Sequence, residues 1–563
     1  MSHIRRLTAI LLALSILLAV FPSGAAETDG QARTTHEGVF LDTDPAGGYE
    51  GDYVVICNPS ADTVTGASTG SLGGLIETGI GGANAECIPA QTDGRPARID
   101  VDPLMKRRVP DESERAPEMT VRDWQVGDEK DFSIRYYSPS GNPGNIRFKV
   151  LYVGAHCRVW TPVNSAYLPL DGIDSSFARR AAEEFDGKFG LMRSSFGDFR
   201  DTANDGRVNM LFYNIDDGWT PGGSYVAGYF WSGDYQINSL PVIHVDTYPG
   251  ITRPDSDGNT VTELSSCYGT LMHEFQHLIN YSMTGGMHDW LDESFSGAAE
   301  EICYPGSSLF PRIQSWQGYP FTSLSQLTDP IAETPYRPDF RLHRGGSLAY
   351  WNNSDQSLDL LSRYAGVLFF SQYLYTRYGS TTVFRRIMEN CSGGSLDASL
   401  TALTRGTGWD IGSIWRDYAI SMIANSRVSG WGFSMNPGYD PSEYYGVEDL
   451  YRLLPAVIYD SPSPAYIQGG GFIAVKPVDG VFVPPEDASS ALVYVGVSFP
   501  DFLPGDVNSD GAVDTEDALQ TLRCALGLIV FDDDRSNRAD IDRNGIVDTT
   551  DALLILRSAL GIH

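Results

Sequence analysis

Residues 505–563 contain two copies of one pattern, GDVNSDGAVDTEDALQTLRCALGL and ADIDRNGIVDTTDALLILRSALGI, which align without gaps 34 residues apart. Each copy places oxygen-bearing side chains at positions 1, 3, 5, 9 and 12 of a loop, with glycine at position 6, and an apolar helical run follows. This pattern is that of an EF-hand calcium loop, so the repeat predicts two calcium loops, each followed by a helix. The predicted ligands are Asp506, Asn508, Asp510, Asp514 and Asp517 in the first copy and Asp540, Asp542, Asn544, Asp548 and Asp551 in the second.

The alternative is that acidic turns simply precede two helices, but it does not explain ten ligand positions and two glycines in register. Ca²⁺ requires about six to eight oxygen ligands. The five side chains of each loop, together with the backbone carbonyl of Ala512 or Ile546, meet that requirement. We therefore predict a small all-α module that binds two calcium ions.

Two calcium loops, each with an exiting helix and no entering one, resemble the type I dockerin family. The resemblance covers about residues 505–563 and includes the two helices of pattern ALxxLRxALG. It implies a calcium-folded module that binds a cohesin domain of a scaffold protein, as in cellulosomes. The residues after position 9 of each loop would contact that partner, and the two copies differ there, which argues against two equivalent docking faces. These residues are Thr515 and Glu516 in the first copy and Thr549 and Thr550 in the second.

A second informative segment, GTLMHEFQHLIN at 269–280, carries His273 and His277 with Glu274 directly after the first histidine. On an α-helix, residues i and i+4 lie on one face, so both imidazoles can reach one cation. Zn²⁺ accepts nitrogen ligands and, in a catalytic site, keeps one position open for water, on which Glu274 could act. The pentad alone also fits an ordinary buried helix, so a third ligand has to decide.

A third protein ligand must come from outside the pentad. The metzincin pattern is excluded, because it requires Gly at 280 and His at 283, where the chain has Asn280 and Met283. The segment HDWLDESFSGAAEE follows, and in a helix Glu293, Gly297 and Glu300 share one face. A carboxylate supplied by a second helix is the gluzincin arrangement. The candidates in this segment are His288, Asp289, Asp292, Glu293, Glu300 and Glu301.

The segments HEFQHLINYSM and DWLDESFSGAAEE resemble the hyicolysin-type family of neutral zinc metallopeptidases, in which a WLNEGLSE-AE segment follows the pentad. The resemblance covers about residues 118–430 and includes QVGDEKDFSI, YVGAHCRVW, GGSYVAGYFWSGDY, HVDTYPGI and YAGVLFFSQYLYTRYG. It implies one catalytic Zn²⁺ bound by the two pentad histidines and Glu293, with Glu274 as general base and acid. The chain departs from the family pattern at Asp292 and Ser294.

A peptidase also needs a donor for the oxyanion of its tetrahedral intermediate, because negative charge develops there. Tyr364, in SRYAGVLFF, is the candidate, by analogy with the tyrosine used by other gluzincins. The alternative is that Tyr364 belongs to an aromatic core stripe with Phe369, Phe370 and Tyr373, and the pattern slightly favours the stripe.

The segment DTANDGRVNM could bind a further Ca²⁺ through Asp201, Asn204 and Asp205. However, Ala203 and Phe212 fall where additional ligands would be needed. We therefore predict a turn at this segment.

The N-terminal residues 1–26 predict a secretory signal peptide. Arg5 and Arg6 precede an apolar run that ends at Val20, and small residues follow around Ala26. The run is short for a membrane span, and a retained anchor helix is the alternative. The formal net charge of −32 argues against a nucleic acid or an anionic membrane surface as partner, since both would repel the chain.

Seven cysteines are few for a secreted chain of 563 residues. They are widely spaced and odd in number, so any disulfides would be isolated and at least one thiol is left over. No CxxC motif is present, which removes the commonest zinc-ribbon and redox interpretations. Proximity in the sequence favours Cys57 and Cys87 as a pair.

Composition changes along the chain suggest where its parts begin and end. Residues 27–117 are rich in Gly, Thr and Asp, and they end in a tract whose KRR triplet is either a propeptide processing site or a solvated connector. Period-two alternation predicts strands in 118–171, and 431–504 is also predicted to be β-rich. Between them, 172–430 mixes strands and helical segments, which predicts an α+β domain.

The predicted fold class is multidomain, with an α+β zincin-like catalytic domain, β-rich flanking regions and a small all-α calcium-binding dockerin. The resemblances imply a secreted zinc endopeptidase that cleaves protein or peptide bonds and is held by its dockerin on an extracellular multienzyme scaffold. Two alternatives stay open: an inactive binding protein on the same scaffold, and a dockerin-borne enzyme that acts on polysaccharide. The predicted parts are the signal peptide 1–26, the region 27–117, the metallopeptidase region 118–430, the β-rich linker domain 431–504 and the dockerin 505–563.

Overall fold

The computed structural model does not describe every residue of the chain. The predicted signal peptide, the KRR triplet and Cys87 lie outside the described residues. A bilayer-spanning helix, which needs length and sustained apolar character together, is not found in the described part of the chain. The described residues are 33–36, 39–43, 47–78, 98–99, 123–134, 144–163, 172–219, 225–254, 258–305, 312, 344–351, 358–378, 381–424, 458–498, 504–510, 512–541 and 546–560.

The strands are numbered in chain order. They are β1 (Arg33–His36), β2 (Val39–Asp42), β3 (Tyr49–Glu50), β4 (Tyr53–Cys57), β5 (Ala67–Ser68), β6 (Arg98–Ile99), β7 (Glu129–Ile134), β8 (Gly144–Val153), β9 (Cys157–Pro162), β10 (Val208–Tyr213), β11 (Tyr225–Val226), β12 (Gly228–Tyr229), β13 (Val242–Asp246), β14 (Thr252–Pro254), β15 (Thr260–Thr262), β16 (Tyr466–Ile467), β17 (Phe472–Val475), β18 (Val481–Phe482) and β19 (Val493–Ser498).

The helices are numbered in the same way. They are α1 (Ser175–Phe196), α2 (Asp234–Ile237), α3 (Tyr268–Thr284), α4 (Asp289–Cys303), α5 (Leu358–Tyr378), α6 (Thr382–Glu389), α7 (Leu396–Thr407), α8 (Ile411–Ala424), α9 (Thr515–Ala525), α10 (Asp533–Ala539) and α11 (Thr549–Ala559).

The central sheet has six strands in the order β12-β13-β10-β9-β8-β7. Strands β9, β10 and β13 are parallel to one another, whereas β12 runs antiparallel to β13 at one outer edge. Every residue of β10 and β13 is buried, which explains their nearly continuous apolar runs, because such strands lie between two packed layers. The short antiparallel strand β12 is therefore one of the two outer strands of this sheet, and both of its residues are buried.

Helices cover one face of the central sheet. Helix α1 begins at Asp174, whose Oδ1 accepts a hydrogen bond from the Phe177 amide (2.6 Å), and it buries a row of apolar side chains. Helix α3 ends at Gly285, whose φ of 74° is left-handed and suits glycine, so the chain turns at once into α4. A Cβ on Gly297 would lie 3.1 Å from the Leu368 side chain, so glycine there lets α4 and α5 pack closely.

A cluster of aromatic side chains covers the other face of the sheet. Trp160 contacts the rings of Trp124 and Phe132 edge to face, and Phe148 contacts Tyr213 in the same way. All five side chains are buried in one cluster. The central sheet therefore has a core on each side.

The second sheet has five strands in the order β1-β2-β19-β4-β17, so it joins strands from both ends of the described chain. The sequence treats 27–117 and 431–504 as separate regions, but β4 lies between β19 and β17 and pairs with both. Helix α8 packs on this sheet through Ala419, Ile420 and Ile423. The two regions are thus strands of one sheet that rests on the helices of the central region.

The predicted Cys57–Cys87 disulfide is wrong for Cys57, which is a free thiol. Cys57 is fully buried in β4, within the core that the sheet shares with α8. Burial raises the pKa of this thiol to about 12, so it stays protonated. Proximity in the sequence misled here, because the Cys57 side chain points into the core that β4 shares with α8.

The C-terminal region is helical in its described residues. Helices α9 and α11 pack together around Val507, Ala518, Phe531, Ala539 and Ile555. The coarse prediction of a multidomain, mixed α/β chain with a helical C-terminal region is confirmed.

Because β4 is an interior strand, we expect a cut in the KRR triplet to leave the N-terminal fragment attached. Val54, Val55, Ile56 and Cys57 are all fully buried, and each buried apolar side chain contributes about 1.5–3 kcal/mol. We would replace the triplet by the recognition sequence of a site-specific protease, cut the purified protein, and compare cut and uncut protein by size-exclusion chromatography. The two fragments should co-elute until denaturant is added. Release of the N-terminal fragment under native conditions would instead support a removable propeptide.

Candidate metal centre

Helix α3 brings the two pentad histidines to one face. His273 and His277 lie one helical turn apart, both are almost fully buried, and their ring centroids are 4.7 Å apart. This face of α3 packs against α4. The i, i+4 spacing therefore places both imidazoles on one face of α3, as the sequence predicts. This face lies in the interior of the protein.

Glu293 on α4 completes a set of three donor atoms. Its Oε2 lies 3.3 Å from His273 Nε2 and 3.7 Å from His277 Nε2. One ligand atom from each residue lies within 4.8 Å of the other two, and all three residues are buried. In the described part of the chain, this is the group of His, Cys, Asp and Glu residues that meets these criteria for a metal site.

A carboxylate on α4 orients each histidine ring. His273 Nδ1 lies 2.7 Å from Glu300 Oε1, and His277 Nδ1 lies 2.9 Å from Asp292 Oδ1. Because an ionised carboxylate only accepts hydrogen bonds, each Nδ1 carries the proton and each Nε2 presents a lone pair. Asn280 donates a further hydrogen bond to Asp292 Oδ1, which helps to hold that carboxylate in place.

The hydroxyl of Ser296 also lies beside His277. Its Oγ is 2.9 Å from His277 Nδ1 and donates a hydrogen bond to Gln276 Oε1 (2.6 Å). Both residues are fully buried. The second histidine is thus held by residues of both helices.

The donor set fits zinc. Two imidazole nitrogens and one carboxylate oxygen face a common point, and in a dry interior three lone pairs repel one another unless a cation or a proton lies between them. Nitrogen and oxygen donors in a set of three match a zinc site that keeps further positions for water or substrate. The carboxylates behind the histidines are the support that zinc-binding histidines usually have.

Glu274 lies at the junction of α3 and the outer strand β12. It is fully buried, and a Cβ built on Gly228 would lie 3.1 Å from Glu274 Cγ and 2.6 Å from Thr270 Cγ2. Only glycine fits this position without displacing the strand from the helix. The outer strand of the sheet therefore runs directly past the residue predicted to act as base.

Tyr364 is almost fully buried within the large core cluster that also contains Phe369, Phe370 and Tyr373. Its ring meets that of Trp351 edge to face, with centroids 5.3 Å apart. This packing is what the core-stripe interpretation predicts. A role for Tyr364 as oxyanion donor stays a prediction.

The segment around Asp201 folds as a turn rather than as an ion-binding loop. Asp201 Oδ2 accepts a hydrogen bond from the Gly206 amide (2.6 Å), and Asp205 Oδ1 accepts one from the Arg207 amide (3.0 Å). The other oxygen of Asp205 forms an ion pair with the buried Arg158. Arg158 therefore already neutralises Asp205.

The first predicted calcium loop is described except for Gly511. Asp517 is fully buried, and its carboxylate accepts hydrogen bonds from the amides of Val507 (2.9 Å), Asn508 (3.1 Å) and Asp514 (3.0 Å). The acid at position 12 therefore already closes the loop, and it also completes a capping box at the start of α9.

The second loop repeats this arrangement where it is described. Asp551 accepts hydrogen bonds from the amides of Ile541 and Asp548 (both 2.8 Å) and completes the capping box of α11. Asp540 is also described, whereas Asp542 and Asn544 lie outside the described residues. The four residues predicted to contact a partner are exposed in the first turns of α9 and α11. They are Thr515, Glu516, Thr549 and Thr550.

Comparison with known proteins supports both resemblances. Residues 504–558 match the sequence model of the dockerin type I domain. The chain is also 28% identical over 334 residues to the neutral metalloprotease ShpI of Staphylococcus hyicus, an alignment that covers 56% of this chain and 68% of that protein. The predicted similarity to a neutral metalloprotease and the predicted C-terminal dockerin are confirmed, and the buried set His273, His277 and Glu293 agrees with them.

The sequence offered Asp292 and Glu300 only as possible metal ligands, and the structure makes them partners of the histidines instead. The sequence could have predicted that Glu300 is a partner of a histidine, because it lies two helical turns after Glu293 on the same face of α4. Gly228 carried no such signal. The need for glycine at this position depends on which helix packs against β12.

We expect Asp292→Asn and Glu300→Gln each to weaken zinc binding by about 10- to 100-fold, because an amide orients the ring less well than a carboxylate. Zinc affinity would be measured by competition with a chromophoric chelator, and folding by circular dichroism. Glu183→Gln is the matched control, since it makes the same change at an exposed ion pair with Arg179. Unchanged zinc affinity in both α4 variants would contradict the conclusion that these two carboxylates orient the histidine rings.

Proposed function

We propose that this protein is a secreted zinc endopeptidase that hydrolyses protein or peptide bonds and is attached by its dockerin to a cohesin-bearing scaffold. The observation that carries the proposal is the buried set of His273, His277 and Glu293, with Glu274 directly after His273 and the outer strand β12 packed against Glu274. The similarity to a neutral metalloprotease over this region supports the same activity. The α+β arrangement of central sheet and helices fits a zincin-like catalytic domain.

The catalytic roles follow from the position of each residue. Zinc, when bound by His273, His277 and Glu293, supplies Lewis acidity to the scissile carbonyl and to water. Glu274 takes a proton from the attacking water and delivers it to the amine nitrogen as the C–N bond breaks. Glu300 and Asp292 keep the imidazoles oriented throughout.

An extended peptide could pair with the outer strand β12. The amide of Asp246 donates to the carbonyl of Ala227 (2.9 Å), so the 227–246 and 229–244 pairs are the hydrogen-bonded ones of this antiparallel ladder. In the alternate pair, Gly228 and Val245, the N–H and C=O of each residue point away from the other strand. Gly228 is buried, and its N–H and C=O are directed to the outer edge beside Glu274. We therefore assign main-chain hydrogen bonds with a bound substrate to this residue.

The dockerin attaches the protein to the scaffold. It folds when it binds two calcium ions. Around Thr515 and Glu516, α9 exposes Leu519 (45%), Leu522 (37%) and Leu526 (59%). In the second copy, the equivalents of Leu519 and Leu522 are Leu553 and Leu556, which are half-buried, whereas Leu560, the equivalent of Leu526, is also exposed (56%). We therefore assign cohesin docking to α9 rather than equally to both helices.

The location follows from the same elements. The predicted signal peptide would direct the chain out of the cell, and the dockerin would place it on an extracellular complex of the cellulosome type. An enzyme on such a scaffold that cuts proteins would act beside enzymes that degrade polysaccharide.

Glu274→Gln should lower kcat by about 10²- to 10⁴-fold while zinc content is unchanged, because the amide cannot accept the proton. The secreted protein would be incubated with a proteome-derived peptide library, with and without chelator, and the cuts mapped by mass spectrometry. Chelator should abolish the cleavage, and added zinc should restore it. Glu183→Gln, with the same chemical change at the surface, should cut like wild type.

Three outcomes would contradict this proposal in different ways. Full activity of Glu274→Gln would overturn the assigned mechanism. Zinc-bound wild type that cuts no peptide would favour an inactive binding protein. Release of sugars from plant polysaccharide without peptide cleavage would favour the polysaccharide-degrading alternative.

For the dockerin, we expect the full chain to be captured by immobilised cohesins in calcium and released by chelator, because the loops need the ion to hold α9 and α11 together. Thr515→Arg should weaken capture by about tenfold or more, as expected for a central interface residue. Thr549→Arg, the same change at the equivalent position of α11, should have little effect. Equal losses in the two variants would contradict docking through α9, and capture in chelator would contradict the calcium sites.

A further inference from the structure

A buried polar network lies within the central sheet, next to its outer strand. The Tyr213 hydroxyl is 2.6 Å from the Tyr229 hydroxyl and 3.2 Å from His244 Nδ1, and His244 Nε2 is 2.9 Å from Asp234 Oδ2. All four side chains have no exposed surface. They come from β10, β12, β13 and α2, so the network joins four separate elements.

The network continues to the opposite outer strand of the sheet. Asn238 donates to the second oxygen of Asp234 and also exchanges two hydrogen bonds with the backbone of Ser133 in β7 (2.8 and 3.1 Å). Since β12 and β7 are the two outer strands, the chain of contacts runs from one edge of the sheet to the other.

With a neutral His244, the hydrogen bonds of the network run in one direction. The Asp234 carboxylate accepts, so His244 carries a proton on Nε2, and its neutral form accepts from Tyr213 at Nδ1. Burial raises the pKa of Tyr213 well above its ordinary value, so this hydroxyl stays protonated and can donate. Tyr213 then accepts from Tyr229, which is the member on the outer strand. Each partner depends on the next, so removing one hydroxyl leaves a buried group unsatisfied.

The outer end of the network fixes strand β12. Tyr229 lies opposite His244 in the ladder, and the two rings are stacked with centroids 4.0 Å apart and planes 10° apart. Gly228 precedes Tyr229, and a Cβ there would meet both the His244 carbonyl oxygen (2.7 Å) and the Glu274 side chain (3.1 Å). A two-residue strand has little pairing of its own, so its position depends on these side-chain contacts.

We propose that Tyr213, Tyr229, His244 and Asp234 form a positioning network that holds the outer strand against Glu274 and so sets the register of an extended peptide across the metal centre. This inference rests on the proposed peptidase function. The simpler alternative is a satisfied polar cluster that only stabilises the core. Two observations argue against that alternative. The network ends on β12, the strand that touches Glu274. Apolar side chains at the same four positions would fill a core without the free-energy cost of desolvating polar groups.

The test is Tyr213→Phe, which removes one oxygen from the centre of the network with little change in volume. Tyr418→Phe is the matched control, because Tyr418 is also buried and donates a single hydrogen bond, to the Gly366 carbonyl, away from the network. Gly228→Ala is a second variant that displaces the same strand by steric contact instead. Three quantities are measured: amide hydrogen exchange at 225–230, zinc content, and KM and kcat for a long peptide and for a blocked dipeptide.

We expect exchange at residues 228–230 to be about tenfold faster in Tyr213→Phe than in Tyr418→Phe, as for one lost buried hydrogen bond. KM for the long peptide should rise about tenfold in Tyr213→Phe and Gly228→Ala with zinc content unchanged, and in Tyr213→Phe the hydrolysis of the dipeptide should stay within about twofold of wild type. A purely stabilising role predicts equal losses for both substrates, and that result would overturn the proposal.

The exchange measurement also separates this proposal from the proposed function. If wild type cleaves no peptide, the peptidase function fails, and faster exchange at the strand in Tyr213→Phe still supports the positioning of β12. Unchanged exchange in Tyr213→Phe overturns the positioning network whether or not the protein is a peptidase.

Discussion

The meeting of two imidazoles and one carboxylate in a water-excluding interior is the constraint on which the rest of the structure depends. Lone pairs that face one another are tolerated only if a cation or proton lies between them and if each ring is held from behind. Glu300 and Asp292 hold the rings, and both come from the same helix as Glu293. One helix therefore supplies a ligand and both supports, which makes the α3–α4 contact the central contact of the protein.

The surrounding architecture keeps this contact in register with the sheet. A left-handed glycine at 285 turns the chain directly from α3 into α4, and small residues let neighbouring elements approach, Gly297 towards α5 and Gly228 towards Glu274. On the far side, strands from both ends of the described chain form a second sheet on which α8 packs. The dockerin follows β19 in the sequence, so it is connected to this second sheet rather than to the sheet beside the metal centre.

Much of the site could be predicted because its signals are local. The pentad and the Glu293 segment each lie on one helix, so their spacing alone indicates which side chains share a face. The predicted calcium loops also have local signals, because their ligand positions lie within twelve residues of one another, and their occupancy by calcium stays a prediction. Other features could not be predicted in this way. The free thiol of Cys57 and the network around His244 each depend on elements that are far apart in the sequence.

The sequence by itself determined the residue types, the helical spacing of the pentad, the repeat at 505–563 and the resemblance to two families. The tertiary structure decided that Asp292 and Glu300 support the histidines, that the N-terminal and C-terminal β-regions share a sheet, and that Gly228 touches Glu274. The physical reason is the range of the interactions. Helix periodicity and loop ligation act over a few residues, whereas strand order and side-chain contacts between elements arise only when distant segments compete to bury the same surface.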